Sequence, residues 1–275
     1  MIKDIINYLG EENLEELALR FHRPPNGAYV YVKTDGTFKV IRNQQKVDFN
    51  SKYRGWDFYS TLISMNKPIA SKLIQSNNYY TFWCRNTAKL KDTDIDTYFA
   101  KLELPPKLKW HKEWVKEHIY ELGKTYEDDI IKIFFPGTRD EYRKLGMKYW
   151  HEKSISVPNN LNKKNENPVG APLGYSTNAK KPFTIGRTPF FVSQEEGLKI
   201  KFVYDILKGC TKRGYNNIYI NAAGLYLTNV TLGPPDRVLP AGLFIVTKIN
   251  NKGALEMLDM EAIPSYNPFL TASKL

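Results

Sequence analysis

The chain has 275 residues, 42% of them hydrophobic and 13% aromatic, enough apolar material for a substantial core, which excludes a wholly disordered polypeptide. Its 40 Lys and Arg against 29 Asp and Glu leave a formal charge of +11, a balance that suits polyanionic partners. No run approaches the ~20 apolar residues of a membrane span, and the opening Met1-Ile2-Lys3-Asp4 begins an amphipathic segment rather than a secretory signal. A soluble, cytoplasmic protein without a membrane partner is therefore expected, built as one elaborate domain or two closely packed ones.

Ile2, Ile5, Ile6 and Leu9, then Leu14, Leu17 and Ala18, recur at helical spacing with Gly10 between them, which predicts two short helices or one broken one. Past Arg23-Pro24-Pro25-Asn26-Gly27, residues 28–33 and 38–42 flank Asp35-Gly36 and predict a hairpin. Residues 57–63 read as a helix that ends before Asn66-Lys67-Pro68, and residues 79–84 have the aromatic composition of a strand. Between Trp110 and Phe135, the positions of Trp114, Val115, Ile119, Leu122, Tyr126, Ile130 and Phe134 predict a largely helical segment with one solvated face.

Residues 154–189 change character: they contain four prolines before Pro189 and little periodicity, and predict a long loop. Ser193-Gln194-Glu195-Glu196 is a capping box that opens a helix carrying Leu198, Phe202, Val203, Ile206 and Leu207, with Gly209 as its stop. Strands are expected over 218–220 and 225–227, followed by a turn at Gly233-Pro234-Pro235-Asp236. A second hairpin pairs 243–249 with 255–263 across Asn250-Asn251-Lys252-Gly253.

The expected class is thus α+β, mixed, with antiparallel hairpins, several helices and a long basic loop. In chain order this makes an N-terminal α+β region (1–150), a basic loop region (151–190), and a helix with antiparallel strands (191–275) that either packs with the first region as one domain or stands apart. The chain stops soon after Pro264-Ser265-Tyr266-Asn267-Pro268 without a closing element, as one half of a longer protein would.

The sequence carries none of the common catalytic patterns. His22, His111, His118 and His151 are the ready general bases, but His111 and His118 lie two helical turns apart, too far for a zincin ligand pair, and surface or core roles are expected. There is no Gly-x-Ser-x-Gly, no Walker motif and no Gly-x-Gly-x-x-Gly. Asp128 and Asp129 are adjacent and would point apart on a helix. Asp92, Asp94 and Asp96 alternate like the start of a calcium loop but lack its Gly and terminal Glu, so a solvated loop is expected. Cys84 and Cys210, with no nearby His, are expected to be buried structural thiols. No metal, no cofactor and no catalysis are expected.

The charge distribution is more telling. From Lys153 to Arg213 there are eleven Lys and Arg against four acids, a net of +7. Lysines neutralise phosphates, while amides and hydroxyls reach base edges, sugars and the acceptor-rich minor groove. On that chemistry Lys163, Lys164, Lys180 and Lys181 are candidate phosphate contacts, and Asn162, Asn165, Ser176, Thr177 and Asn178 candidate base-edge or groove contacts. Asn66, Lys67, Asn77 and Asn78 are equally suited to such contacts and to capping turns.

Several blocks resemble a known family. These are Asp57-Phe58-Tyr59-Ser60-Thr61-Leu62-Ile63-Ser64-Met65-Asn66-Lys67-Pro68 with Ser76-Asn77-Asn78-Tyr79, the opening Met1-Ile2-Lys3-Asp4 with Pro25-Asn26-Gly27-Ala28-Tyr29, Gly174-Tyr175-Ser176-Thr177-Asn178-Ala179-Lys180-Lys181-Pro182, and Ile263-Pro264-Ser265-Tyr266. Together they are similar to the N-terminal portion of the large subunit of type I-B CRISPR Cascade surveillance complexes. The resemblance implies a non-catalytic antiviral-defence subunit that recognises the protospacer-adjacent motif in double-stranded target DNA and starts strand separation. It also implies partners: the guide RNA ribonucleoprotein, other Cascade subunits, and a recruited helicase-nuclease. Two other classes stay open, a structural subunit that contacts proteins through its aromatic-rich N-terminal half, and a metal-dependent nuclease using the scattered acids, for which no paired-carboxylate spacing speaks.

Overall fold

The computed structural model describes residues 2–42, 51–61, 69–127, 130–153, 194–221, 224–228, 239–251 and 253–266. The chain divides into two compact units, a central one spanning Pro24–Gln194 and a terminal one that joins Met1–Arg23 to Glu195–Leu275. The class is α+β.

The central unit starts with the expected hairpin, β1 (Ala28–Val32) and β2 (Phe38–Ile41). Its turn is closed by Asp35, whose Oδ1 accepts from the Thr37 amide at 2.9 Å and hydroxyl at 2.7 Å, and by Gly36, whose φ of 81° only glycine adopts without strain. Helix α3 (Ser51–Tyr59) begins before the helix expected over 57–63. Strand β3 (Thr81–Cys84) lies inside the aromatic run.

Asp92, Asp94 and Asp96 do not lie in a loop, as their alternation suggested, but open helix α4 (Asp92–Lys101), where Asp94 accepts from the Lys91 amide at 3.2 Å. Carboxylates in a first turn satisfy free amides and favour the positive end of the helix dipole. Helix α5 (Lys109–Thr125) follows, but the helical reading fails at its end, because Ile131–Phe134 is strand β4. All four of its residues are buried, and a short apolar strand buried on both faces cannot be told from a helix segment by spacing alone. Helix α6 (Arg139–Lys153) was not anticipated, although Thr138-Arg139-Asp140-Glu141 is a capping box. The Thr138 amide donates to Glu141 Oε2 at 2.7 Å, and the Glu141 amide donates back to Thr138 Oγ1 at 3.1 Å.

The sheet order is β2-β1-β4-β3, with β1 parallel to β4 and the other pairings antiparallel. Strand alternation sends Phe82 of β3 to one face, where it meets Tyr98 and Phe99 of α4, while Phe134 of β4 faces Trp56 of α3 on the other. On that second face the register aligns Tyr29 of β1, Lys132 of β4 and Trp83 of β3 in one row. Lys132 is wholly buried: its Nζ donates to Asp57 Oδ1 of α3 at 3.1 Å and to the Tyr29 hydroxyl at 3.0 Å, and lies 3.9 Å from the Trp83 ring centroid.

In the terminal unit, α1 (Ile2–Leu9) and α2 (Leu14–Phe21) are separated at Gly10, as expected. Helix α7 (Gln194–Lys212) passes through Gly209, the expected stop, and is followed by Gly214 with φ 89°. Gly209 serves packing instead: a Cβ there would lie 2.2 Å from the Phe21 carbonyl oxygen, so its absence lets the end of α2 approach α7. Strands β5 (Asn217–Asn221), β6 (Gly224–Thr228), β7 (Leu239–Ile249) and β8 (Leu255–Tyr266) form an antiparallel sheet in the order β6-β5-β7-β8. The β7–β8 turn is held by Asn250, whose Oδ1 accepts from the Ala254 amide at 3.0 Å, and by Gly253 at φ 74°. The Thr247 and Thr211 hydroxyls, 2.7 Å apart, tie β7 to α7.

Two stability changes are expected. Lys132→Met leaves the Asp57 carboxylate buried without its cation and destabilises by about 3–5 kcal/mol in urea unfolding, whereas Lys132→Met with Asp57→Leu recovers most of that loss; strictly additive losses would refute a coupled pair. Gly209→Ala lowers the thermal midpoint even though alanine is better in a helix by about 1 kcal/mol, because the methyl group meets the Phe21 backbone.

Candidate functional site

The nine residues assigned to nucleic acid, Asn162, Lys163, Lys164, Asn165, Ser176, Thr177, Asn178, Lys180 and Lys181, all lie outside the described residues, as do Asn66, Lys67, Asp128 and Asp129. The basic residues of α7 that belong to the same charged stretch are described, and they are engaged within their own unit. Lys199 contacts Glu11 and lies 3.4 Å from Glu195, which raises its pKa. Lys201 pairs with Asp205 one turn on, and the Lys208 ammonium lies 5.5 Å from the Tyr204 ring. Arg213 donates to the Arg20 carbonyl at 2.9 Å and covers the Phe21 ring, while Arg23 donates to the Lys212 carbonyl. The two arginines close the end of α7 against α2. Lys163, Lys164, Lys180, Lys181 and Arg187, which belong to the same stretch, lie outside the described residues.

Asn77 and Asn78 are buried and structural. The Asn78 side chain donates to the Tyr142 carbonyl at 3.2 Å and accepts from the Tyr80 amide at 2.8 Å. Beside it the Tyr98 hydroxyl is within 2.7 Å of Ser76 Oγ and 2.8–2.9 Å of the Asn78 and Thr81 carbonyls. Ser76, Asn77 and Asn78 therefore form a buried corner joining β3, α4 and α6, in which the Ser76 and Asn78 side chains have partners that offset their desolvation.

Two aspartates of α4, Asp92 and Asp96, face α5. Asp96 is 2.8 Å from the Lys116 ammonium and 3.3 Å from that of Lys112, and these lysines hold its carboxyl below the usual range. Asp92 accepts from the Tyr120 hydroxyl at 2.5 Å. Among the described residues, no group of three or more His, Cys, Asp or Glu is placed to hold a metal ion. Both cysteines are buried, and burial pushes the Cys84 thiol up to about 11 and the Cys210 thiol up to about 12.

His118 stacks on Trp114 at 4.1 Å and points Nδ1 at the Trp114 carbonyl, 2.9 Å away. His111 is fully buried, stacked 4.1 Å from Phe135, with Nδ1 3.1 Å from the Tyr79 carbonyl. A carbonyl only accepts, so Nδ1 carries the proton. Nε2 is buried without a partner among the described residues, and burial pulls the imidazole pKa down to about 4.

One polar cleft opens in the central unit, bounded by Asn77, Asn78 and Tyr79 before β3, by Lys101 and Glu103 at the end of α4, and by Lys148 of α6. Glu103 and Lys148 form an ion pair of 2.8 Å at its rim. No motif marked these residues, because their meeting depends on how α4 and α6 pack beside β3. In the terminal unit β8 presents Met257, Leu258, Asp259 and Glu261 to solvent, an apolar and acidic row within a basic protein.

No described helix is long and apolar enough to cross a membrane. Compared with protein-family models, curated proteins and solved structures, the chain matches none.

A buried neutral histidine makes stability depend on pH with a definite sign. Unfolded His111 takes up a proton near pH 6.5 and folded His111 near pH 4, so stability is lost as pH falls through that window, by roughly 3 kcal/mol in full. Urea unfolding at pH 7, 5.5 and 4.5 checks this: His111→Phe flattens the decline, and an unchanged slope in the variant would refute the assignment.

Proposed function

We propose that the chain is a non-catalytic duplex-DNA recognition subunit of an RNA-guided interference complex, reading a short protospacer-adjacent motif and starting strand separation. The observation that carries this is the concentration of charge, +7 of a total +11, between Lys153 and Arg213. Within that stretch the α7 cations contact carboxylates, carbonyls and rings of the terminal unit. The lysines interleaved with Asn, Ser and Thr on residues 162–181 are the ones assigned to the polyanion. Their chemistry fits a groove contact in which ammonium groups neutralise phosphates and short polar side chains meet base edges. The resemblance to Cascade large subunits supplies the duplex, the motif and the guide ribonucleoprotein as partners, and a cytoplasmic setting.

A second reading, a structural subunit that contacts neighbouring proteins, is favoured by β8. Its exposed Met257 and Leu258 offer apolar contact, while Asp259 and Glu261 repel phosphates.

Both readings meet in one experiment on the assembled complex. Changing Lys163, Lys164, Lys180 and Lys181 to alanine is expected to weaken binding of a motif-bearing duplex and to reduce the slope of log K against log salt by about 0.9 for each lost phosphate contact. Unchanged affinity and slope with intact assembly would overturn the DNA assignment in favour of the protein-contact role.

A further inference from the structure

Strand β8 is 12 residues long and lies at the edge of its sheet, bonded to β7 alone among the described strands. The register fixes which of its backbone groups stay open. The Thr247 amide donates to the Asn216 carbonyl on the β5 side, so by alternation the amides of Gly242, Phe244 and Val246 turn toward β8. Their partners Ile263, Glu261 and Asp259 close that ladder, which turns the backbone N–H and C=O groups of Met260 and Ala262 outward. The Met260 amide is accordingly free to donate to Asp259 Oδ1, at 2.8 Å. A register shift at Val246/Thr247 makes Leu258 an extra residue on one side of this open stretch, and Pro264, which has no amide, closes the other.

The open edge has two unlike faces. Asp259 and Glu261 stand opposite Val246 and Phe244 on one, while Met260 and Ala262 stand opposite Ile245 and Leu243 on the other. Both acids are exposed and make no ion pair among the described residues, in a chain of net charge +11. Met257 and Leu258, 39% and 55% exposed, add apolar surface beside them. An open edge is a template for another strand. A second copy is a poor occupant, because antiparallel pairing about Met260 sets Asp259 of each chain against Glu261 of the other. Phosphates are repelled by the same carboxylates.

We propose that β8 accepts a short extended segment of a partner protein in which Lys or Arg alternates with apolar residues, added as a further strand beside Met260 and Ala262. Its cations lie across from Asp259 and Glu261, at roughly 5 Å between Cβ atoms, and its apolar side chains continue the face of Met260 and Ala262. Main-chain bonds supply affinity, and the alternation supplies specificity. The proposal rests on the protein-contact reading of β8 and names what that contact recognises.

Calorimetric titration of the full chain tests it with four blocked octapeptides: alternating Lys and Val, the same peptide with N-methylated amides, alternating Glu and Val, and four Lys followed by four Val. The alternating Lys-Val peptide is expected to bind at least about tenfold more tightly than the others and to slow hydrogen exchange at the Ala262 amide. Asp259→Lys with Glu261→Lys is expected to shift the preference to the Glu-Val peptide while leaving the thermal midpoint of the free chain in place. Equal binding of the alternating, block and N-methylated peptides would show charge attraction without strand addition and overturn the proposal. So would slow Ala262 exchange in the free chain, which puts one of its own segments on the edge, or dimerisation that the charge reversal abolishes. If no peptide binds while the reversal still disrupts the assembled complex, strand addition fails and the protein-contact reading stands. Peptide binding with a complex indifferent to the reversal supports strand addition and refutes the protein-contact role within that complex.

Discussion

A lysine in the middle of a sheet organises the central unit. Lys132 occupies the second position of an interior strand, with no access to water, between the rings of Tyr29 and Trp83 on its two neighbours. An ammonium group there is tolerable only if its protons and charge are met at once, by Asp57 Oδ1, by the Tyr29 hydroxyl and by the Trp83 face. Those partners come from α3, β1 and β3, so one residue specifies the order of the strands and which helix covers them. Slipping β4 by a single residue would send Lys132 to the apolar face that carries Phe82, a far larger penalty than an ordinary register error. The same charges act on their neighbours, since burial and Asp57 together push the Tyr29 hydroxyl well above its usual range and keep it a donor or acceptor rather than an anion.

Around that anchor the polar residues of the core are joined rather than scattered. Asn78, Tyr98, Ser76 and Thr81 form one hydrogen-bonded corner, and His111 attaches α5 to it through the Tyr79 carbonyl. The corner forms one wall of the polar cleft, which is thus fixed by buried bonds. The terminal unit uses a different device. Its helix α2 meets α7 through a missing methyl group at Gly209 and through arginines that reach carbonyls at helix ends, where such donors are electrostatically favoured.

Legibility in the sequence followed the range of the signal. The Asp35-Gly36 and Asn250 to Gly253 turns were readable because the bonds that close them lie within four residues. The break at Gly10 was readable for the same reason. Helix α6 was missed although its Thr138 and Glu141 capping box is local, since its apolar spacing is weak. The strand at Ile131–Phe134 was read as helix because burial on both faces removes the alternation that identifies a strand. The acids of α4 were read as loop because alternation of charge says nothing about whether lysines of another helix stand opposite.

By itself the sequence determined the class of fold, its hairpins and the place of its positive charge, because these depend on composition and on neighbours along the chain. Only the tertiary structure decided that Asn77 and Asn78 are core residues, that the α7 cations are engaged at home, and that residues 1–23 belong with the strands near the other end. Contacts of this kind join positions far apart in the chain, and no local pattern records them. The cleft with Glu103 and Lys148 is of the same kind.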